Sequence, residues 1–213
     1  MKTIIANVPY FSQTDNAILA STTCYATSMA MVMTYCLGLG GKTKKDVGCP
    51  QYAQLEDHLS TIIQSNETKL WIQRNWSKYG PWFLKYKPRT LAGVQEYIFN
   101  MLMTPHGYKA KFSSQITYEN YCNYINEGYP VVIHGMFKSV SRVAGHIVVG
   151  IGYYKNEESN RLIVHDPWGN ALFDQYQSHT RGEEAEYDQF LLMRDWEEKK
   201  IWGQVIKPVE GVI

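Results

Sequence analysis

Apolar positions change period along the chain, and the change divides it into a helical first part and a stranded second part. Between Cys24 and about Leu37, the residues Ala26, Met29, Ala30, Met33 and Leu37 follow helical spacing, with no Pro or Gly interrupting. This run is apolar nearly all round, which predicts a helix buried at the centre of the fold. Thr22 or Thr23 is placed to cap its start, and Gly38, Gly40 and Gly41 to stop it. Three further helices are predicted. One covers 51–64, with Leu55, Leu59, Ile62 and Ile63 on one side. The second runs from Thr90 to Met103, with Leu91, Val94, Ile98 and Leu102 on one face. The third runs from Thr117 to Asn126 and is closed by Gly128. After Gly128, residues 130–137, 146–154 and 161–165 are β-branched and apolar and predict strands, the last two joined as a hairpin by the polar stretch from Lys155 to Asn160. Helices first and an antiparallel sheet afterwards is an α+β layout. Before the first helix, Pro9 favours an extended stretch over 8–13, and Asn16 to Thr23 reads as a loop.

Residues 65–90 fit neither period. Lys69, Arg74, Lys78, Lys85, Lys87 and Arg89 face a single acid, Glu67, and Trp71, Trp76, Tyr79, Trp82, Phe83 and Tyr86 interleave with them. Gly80-Pro81 and Pro88 break any long element there. The stretch is the best candidate for an insertion, and the chain is expected to be one domain over 1–213 with room for that insertion at about 40–115.

Composition narrows the classes. A chain of 213 residues with 45% hydrophobic and 19% charged residues is globular material that builds a core without disulfide staples. The formal net charge of +1 argues for no particular partner and gives no reason to expect nucleic acid. No apolar run reaches the length of a membrane span, and only three apolar residues precede Asn7 after Lys2, too few for a secretion signal. Synthesis as a soluble cytosolic chain is therefore expected. Cys24, Cys36, Cys49 and Cys122 form no CxxC pair and no cluster with histidine, so neither a zinc site nor a disulfide framework is expected. No cofactor or metal is expected, and the chain is expected to be a monomer.

Chemistry concentrates in a few short segments. Cys24 sits at the predicted helix start, where unpaired amides and the helix dipole lower a thiol's pKa. Cys36 lies inside the same helix as a core thiol, Cys49 precedes a proline in a loop, and Cys122 lies in a helix of mixed polarity. His146 follows Gly145 and opens an apolar strand, while His134 and His165 lie within strands and His58, His106 and His179 on helix or loop. Asp166 ends the strand hairpinned to that of His146, where an acid can hold the far nitrogen of the imidazole. Gln13, ahead of the cysteine, can supply a donor for a developing oxyanion. Each residue has a bland reading: an inert buried thiol, a structural strand histidine, an Asp-Pro turn. Their joint order favours a nucleophile, base and orienting acid.

The segments Val-Pro-Tyr-Phe-Ser-Gln (8–13), Thr-Thr-Cys-Tyr-Ala-Thr-Ser (22–28), Gly-His-Ile-Val-Val-Gly-Ile-Gly-Tyr (145–153) and Ile-Val-His-Asp-Pro-Trp-Gly-Asn (163–170) resemble the papain-superfamily cysteine peptidases of the bacteriocin-processing, double-glycine peptidase-like family. The resemblance covers roughly 8–37 and 128–170. It implies a papain-like fold, with an N-terminal helix carrying the cysteine packed on a C-terminal antiparallel sheet. Gln13, Cys24, His146 and Asp166 then take the places of oxyanion donor, nucleophile, base and orienting acid. Many members have Gly after the cysteine, whereas Tyr25 stands here and is expected to narrow the cleft. Substrate contacts are expected from Tyr25, from Trp168 in the Asp-Pro turn, and from Trp76 and Trp82. The stretch 166–170, with Tyr187 and Arg194-Asp-Trp196 beyond it, is similar to single-domain phage and bacterial members described as cell-wall hydrolases. That resemblance implies a peptidoglycan amide as substrate and an endolysin-like protein released to the wall by lysis or a holin. Separately, the six basic and six aromatic side chains of 65–90 predict that this segment borders the cleft. The alternatives are a protein- or peptide-processing protease, an acyl transferase of transglutaminase-like kind, and a catalytically idle binding module on the same fold.

Overall fold

The long apolar run folds as helix α1, Cys24–Cys36, in which every residue from Tyr25 to Thr34 is buried. A computed structural model of the chain describes residues 1–49, 51–75, 91–135, 145–156, 159–171, 181–192 and 200–209. Gly38 takes φ +67°, a left-handed conformation, and Leu39 N–H donates to the Thr34 carbonyl at 2.9 Å, which closes α1 as a glycine stop does. The other helices are α2 (Leu55–Ile63), α3 (Asn66–Arg74), α4 (Ala92–Met103), α5 (Tyr118–Asn126) and the short α6 (Gln189–Leu192). The strands are β1 (Lys2–Ile4), β2 (Tyr108–Ile116), β3 (Val131–Gly135), β4 (His146–Lys155), β5 (Asn160–His165), β6 (Ala185–Asp188) and β7 (Ile201–Pro208).

The strands form one antiparallel sheet in the order β2-β7-β3-β4-β5-β6, with β1 added on β4. β4 is buried from His146 to Tyr153, and both α1 and α5 pack on it. Such a strand reads as a continuous apolar run because water reaches neither side. Gly150 within it makes room for α5: a Cβ there would lie 2.6 Å from the Tyr121 ring. The Tyr121 hydroxyl uses that space to donate to the Gly152 carbonyl at 2.7 Å.

The expected helices and strands are present, with three differences. Residues 65–90 do begin with a helix, α3, whose Ser65 hydroxyl accepts from Thr68 N–H. Trp71 of that helix stacks on Tyr97 of α4 at 4.5 Å between ring centroids. The sheet is not confined to the second half, since β1 and β2 join it from earlier in the chain. β6 and β7, for which the sequence carried no expectation, lie beyond β5 and between β2 and β3 respectively. Residues 76–90, with Trp76, Trp82 and Lys78, Lys85 and Lys87, lie outside the described residues, as do 193–199. Among the described residues no helix is long and apolar enough to cross a membrane.

The central role of α1 has a measurable consequence. Met31 has no exposed surface, so Met31→Ala should lower the unfolding free energy by about 2–5 kcal/mol in urea titrations. Leu70 of α3 is 48% exposed, and Leu70→Ala should change it by less than about 0.5 kcal/mol. Equal losses at the two positions would contradict a core centred on α1.

Candidate active site

Cys24 opens α1, but no side chain caps that helix. Thr23, expected as a cap along with Thr22, donates its hydroxyl to the Ala20 carbonyl at 3.2 Å and accepts from Asn16 Nδ2 at 2.7 Å. The first-turn amides of α1 are thereby left to the thiol, which gains from their positive potential. One turn further on, Ser28 Oγ donates to the Ile147 carbonyl at 3.3 Å and ties α1 to the residue after His146. The register of β4 against β5 sets Val149 opposite His165, so the chain leaves β5 at Asp166 close to where β4 begins.

At that junction Asp166 Oδ1 lies 2.7 Å from His146 Nε2. Nδ1 is then the ring nitrogen left for the thiol, and the imidazole and Cys24 are hydrogen bonded. Asp166 has no exposed surface, and its carboxylate also accepts hydrogen bonds from two further described residues. Trp168 N–H reaches Oδ1 at 2.9 Å, and the Tyr187 hydroxyl reaches Oδ2 at 2.8 Å. Tyr187 is itself fixed by Ala171 N–H, 2.8 Å from its oxygen. Burial, then the charge of Asp166, pushes the Tyr187 phenol up, so it stays a neutral donor. The backbone of Asp166 is held as firmly. Its N–H donates to the Gly182 carbonyl at 2.8 Å, its carbonyl accepts from the Tyr10 hydroxyl at 3.2 Å, and that hydroxyl accepts from Gly182 N–H at 3.1 Å. A Cβ on Gly182 would come within 2.0 Å of the Asp166 carbonyl oxygen, so the clamp needs glycine.

Charge follows from this geometry. Burial opposes an imidazolium at His146, but the charge and hydrogen bond of Asp166 outweigh it, Cys24 adds to them, and the ring is pushed up to about 10. Burial also pushes the Cys24 thiol up. The hydrogen bond and charge of His146, with backbone hydrogen bonds from Ile147 and Tyr25, overcome that effect and leave the thiol lowered. The other three cysteines move the opposite way: burial raises Cys49 and Cys122 and pushes Cys36 up to about 12. The arrangement therefore supports a thiolate–imidazolium pair at neutral pH, which is a nucleophile and a proton donor side by side.

Gln13 lies in a 3-10 turn, Gln13–Asp15, and is buried. Its backbone N–H donates to the Pro167 carbonyl at 2.8 Å, and its Nε2 donates to the Ala20 carbonyl at 2.7 Å. It thus bridges the Asp-Pro turn and the segment running into α1, with one amide hydrogen beyond the one given to Ala20. Trp168 is half-buried and packs on the core beside Asp166. Tyr25 departs from expectation. It is buried in the core, with its hydroxyl donating to the Gln95 carbonyl of α4 at 2.6 Å, so its side chain is not a substrate contact. The reason is helical geometry, since each successive residue turns by roughly 100° and Tyr25 faces away from Cys24. Trp76 and Trp82 lie outside the described residues. Neither rival strand histidine takes the base position: His134 packs edge-on against Phe112, and His165 pairs with the Val8 carbonyl and Glu184 N–H. Sequence reasoning attached no chemistry to Tyr187, Tyr10 or Gly182. Tyr10 carried a local signal, lying inside the Val-Pro-Tyr segment, whereas Tyr187 and Gly182 become neighbours of Asp166 only through the return of the chain along β5.

The model of the Peptidase_C39 like family matches residues 5–196. The chain belongs to that family. It is a cysteine peptidase, and the helix-on-sheet arrangement is the α+β, papain-like fold. A structure from Bacillus anthracis, described as a C39-like peptidase, shares that fold with a TM-score of 0.55 and 16% identity, over 98% of this chain and 99% of the other. No curated protein matches. Among the described residues of this C39-like peptidase, no three His, Cys, Asp or Glu side chains gather to hold a metal ion.

Two outcomes test the charge arrangement. Because the thiol is lowered and the imidazole raised, kcat/KM should already be high near neutrality and should fall as pH rises through about 10, where the imidazolium loses its proton. In Asp166→Asn the main charge holding the imidazolium is gone, so its alkaline limb should move to lower pH. A profile unchanged in that variant would show that Asp166 does not set the pair. Tyr187→Phe should lower kcat/KM about tenfold, equivalent to about 1.4 kcal/mol, and less than Asp166→Asn does; circular dichroism checks that the fold is kept.

Proposed function

We propose that this peptidase cleaves peptide amides of bacterial peptidoglycan through a cysteinyl acyl-enzyme, in the manner of an endolysin. The observation that carries amide cleavage is the line from buried Asp166 through buried His146 to the partly exposed Cys24, with the imidazole raised and the thiol lowered. In this reading the Cys24 thiolate attacks the scissile carbonyl carbon, a C–S bond forms and the carbonyl π electrons move to oxygen. Gln13 and the Cys24 backbone N–H donate to that oxyanion, each worth roughly 3 kcal/mol. His146 gives its Nδ1 proton to the leaving nitrogen as the C–N bond breaks. Water then attacks the thioester, giving its proton to His146, and the thiolate leaves to restore the pair. Asp166 orients the ring and balances its charge without taking the proton.

The wall substrate is supported by the residues after Ser65, where six basic and six aromatic side chains meet one acid. Lys69 and Arg74 are exposed on α3, at the start of this segment, where they can meet wall carboxylates or phosphates. Release from the cytosol by lysis or a holin belongs to the same reading.

Mass spectrometry of products from purified peptidoglycan tests the substrate. The expected result is new amino termini without new reducing sugars, and none with Cys24→Ala. Cleavage of denatured protein with no product from several wall types would replace the wall by a protein or peptide substrate, and no cleavage of either would favour an idle binding module. Separately, replacing Lys78, Lys85 and Lys87 with Ser should weaken sedimentation with cell walls at low salt, by several-fold, and leave hydrolysis of a small soluble peptide nearly unchanged. Unaltered wall binding would remove the segment from substrate recognition.

A further inference from the structure

A second cluster of buried charge lies beside the start of α1, and the chemistry above does not use it. Lys44 belongs to the loop between α1 and α2, and its side chain is only 8% exposed. Four oxygens surround its ammonium: the Ser12 carbonyl, Asp15 Oδ1 at 2.5 Å, Asn16 Oδ1 at 2.5 Å and Glu56 Oε1 at 2.6 Å. Three of them belong to residues 12–16, the turn that carries Gln13. The fourth comes from α2, where Glu56 is fully buried. The next residue of α2, Asp57, grips the same loop further on, accepting from Ala17 N–H at 3.4 Å and Ile18 N–H at 3.0 Å. Asn16 passes the connection to α1, its Nδ2 donating to Thr23 Oγ1 at 2.7 Å and Thr27 Oγ1 at 3.0 Å.

We infer that Lys44, anchored by Glu56, is a positioning residue that fixes the Gln13 turn against the start of α1 and so sets the oxyanion donor beside Cys24. The inference rests on the reading of Gln13 as that donor. An ammonium out of water costs several kcal/mol, and apolar packing would hold a loop against a helix without that cost. Apolar packing cannot gather a main-chain carbonyl, a carboxamide and two carboxylates at one point, which a compact cation with three donors does. Without the cation these oxygens repel one another, and the turn loses its tie to α2. A donor that stabilises an oxyanion depends on placement, so a small shift of the turn weakens it in the transition state more than in the ground state.

The experiment compares two reactions of the same thiol. Turnover of p-nitrophenyl acetate passes through an oxyanion, while alkylation by iodoacetamide does not. In Lys44→Met, kcat for the ester should fall about tenfold or more at nearly unchanged KM, with alkylation of Cys24 within about twofold of wild type. In a Gln13→Ala background, Lys44→Met should add little further loss. Slowed alkylation in Lys44→Met would mean that the lysine acts on the thiol pair or the whole fold, and losses that multiply with Gln13→Ala would mean that it does not act through Gln13. Either result overturns the assignment. If Gln13→Ala alone leaves ester turnover intact, the oxyanion reading itself fails, whatever Lys44→Met does. Should Lys44→Met fold poorly, Lys44→Met/Glu56→Leu removes both buried charges. Recovered stability with low turnover supports positioning, and recovery of both shows a purely structural pair.

Discussion

A carboxylate with no exposed surface, Asp166, is the constraint around which the site is arranged. A charge in that setting is tolerable only when donors surround it, and removing one of them exposes the desolvation cost of the rest. Here the donors come from three parts of the chain, the imidazole of β4, the N–H of Trp168 and the hydroxyl of Tyr187 on β6, while the clamp of Tyr10 and Gly182 holds the Asp166 backbone. The hydrogen bond to His146 Nε2 then does two things. It fixes which nitrogen faces the thiol, and it makes the imidazolium favourable enough to lower a thiol that burial alone would raise.

The scaffold serves this arrangement by keeping its supports rigid. α1 is buried along nearly its whole length and is tied to β4 at Ser28, so Cys24 and His146 sit on two elements joined to each other. The N-terminal stretch runs beside the β5 end, held by the Val8 carbonyl at His165 and by Gln13 N–H at Pro167. Two buried charge clusters therefore meet at the start of α1. One lowers the Cys24 thiol, and the other, built on Lys44 and Glu56, grips the loop that carries Gln13. Both spend desolvation energy on precise placement, a common trade where function depends on geometry.

Much of this was legible in order and spacing. Helix and strand periods are local properties of backbone geometry, so α1, α2, α4, α5 and the β3–β5 strands follow from which residues recur at which interval. Cys24, His146 and Asp166 were legible because each sits at the end of such an element, and the hairpin between the last two limits how far apart they can be. Tyr25 is adjacent to Cys24 in sequence but not on its side of the helix, because α1 turns its second residue into the core.

What the sequence determined by itself is the set of elements, the cysteine at a helix start, and the histidine and aspartate at facing strand ends. What only tertiary structure decided is the company those groups keep. Tyr187 and Gly182 reach Asp166 because β6 returns along β5, and Lys44 reaches the Gln13 turn because α2 packs on α1. The pKa shifts belong to the same class, since Cys24 and Cys36 lie on one helix yet move in opposite directions. Desolvation and hydrogen bonding depend on neighbours brought from distant parts of the chain, and no local pattern of residues encodes them.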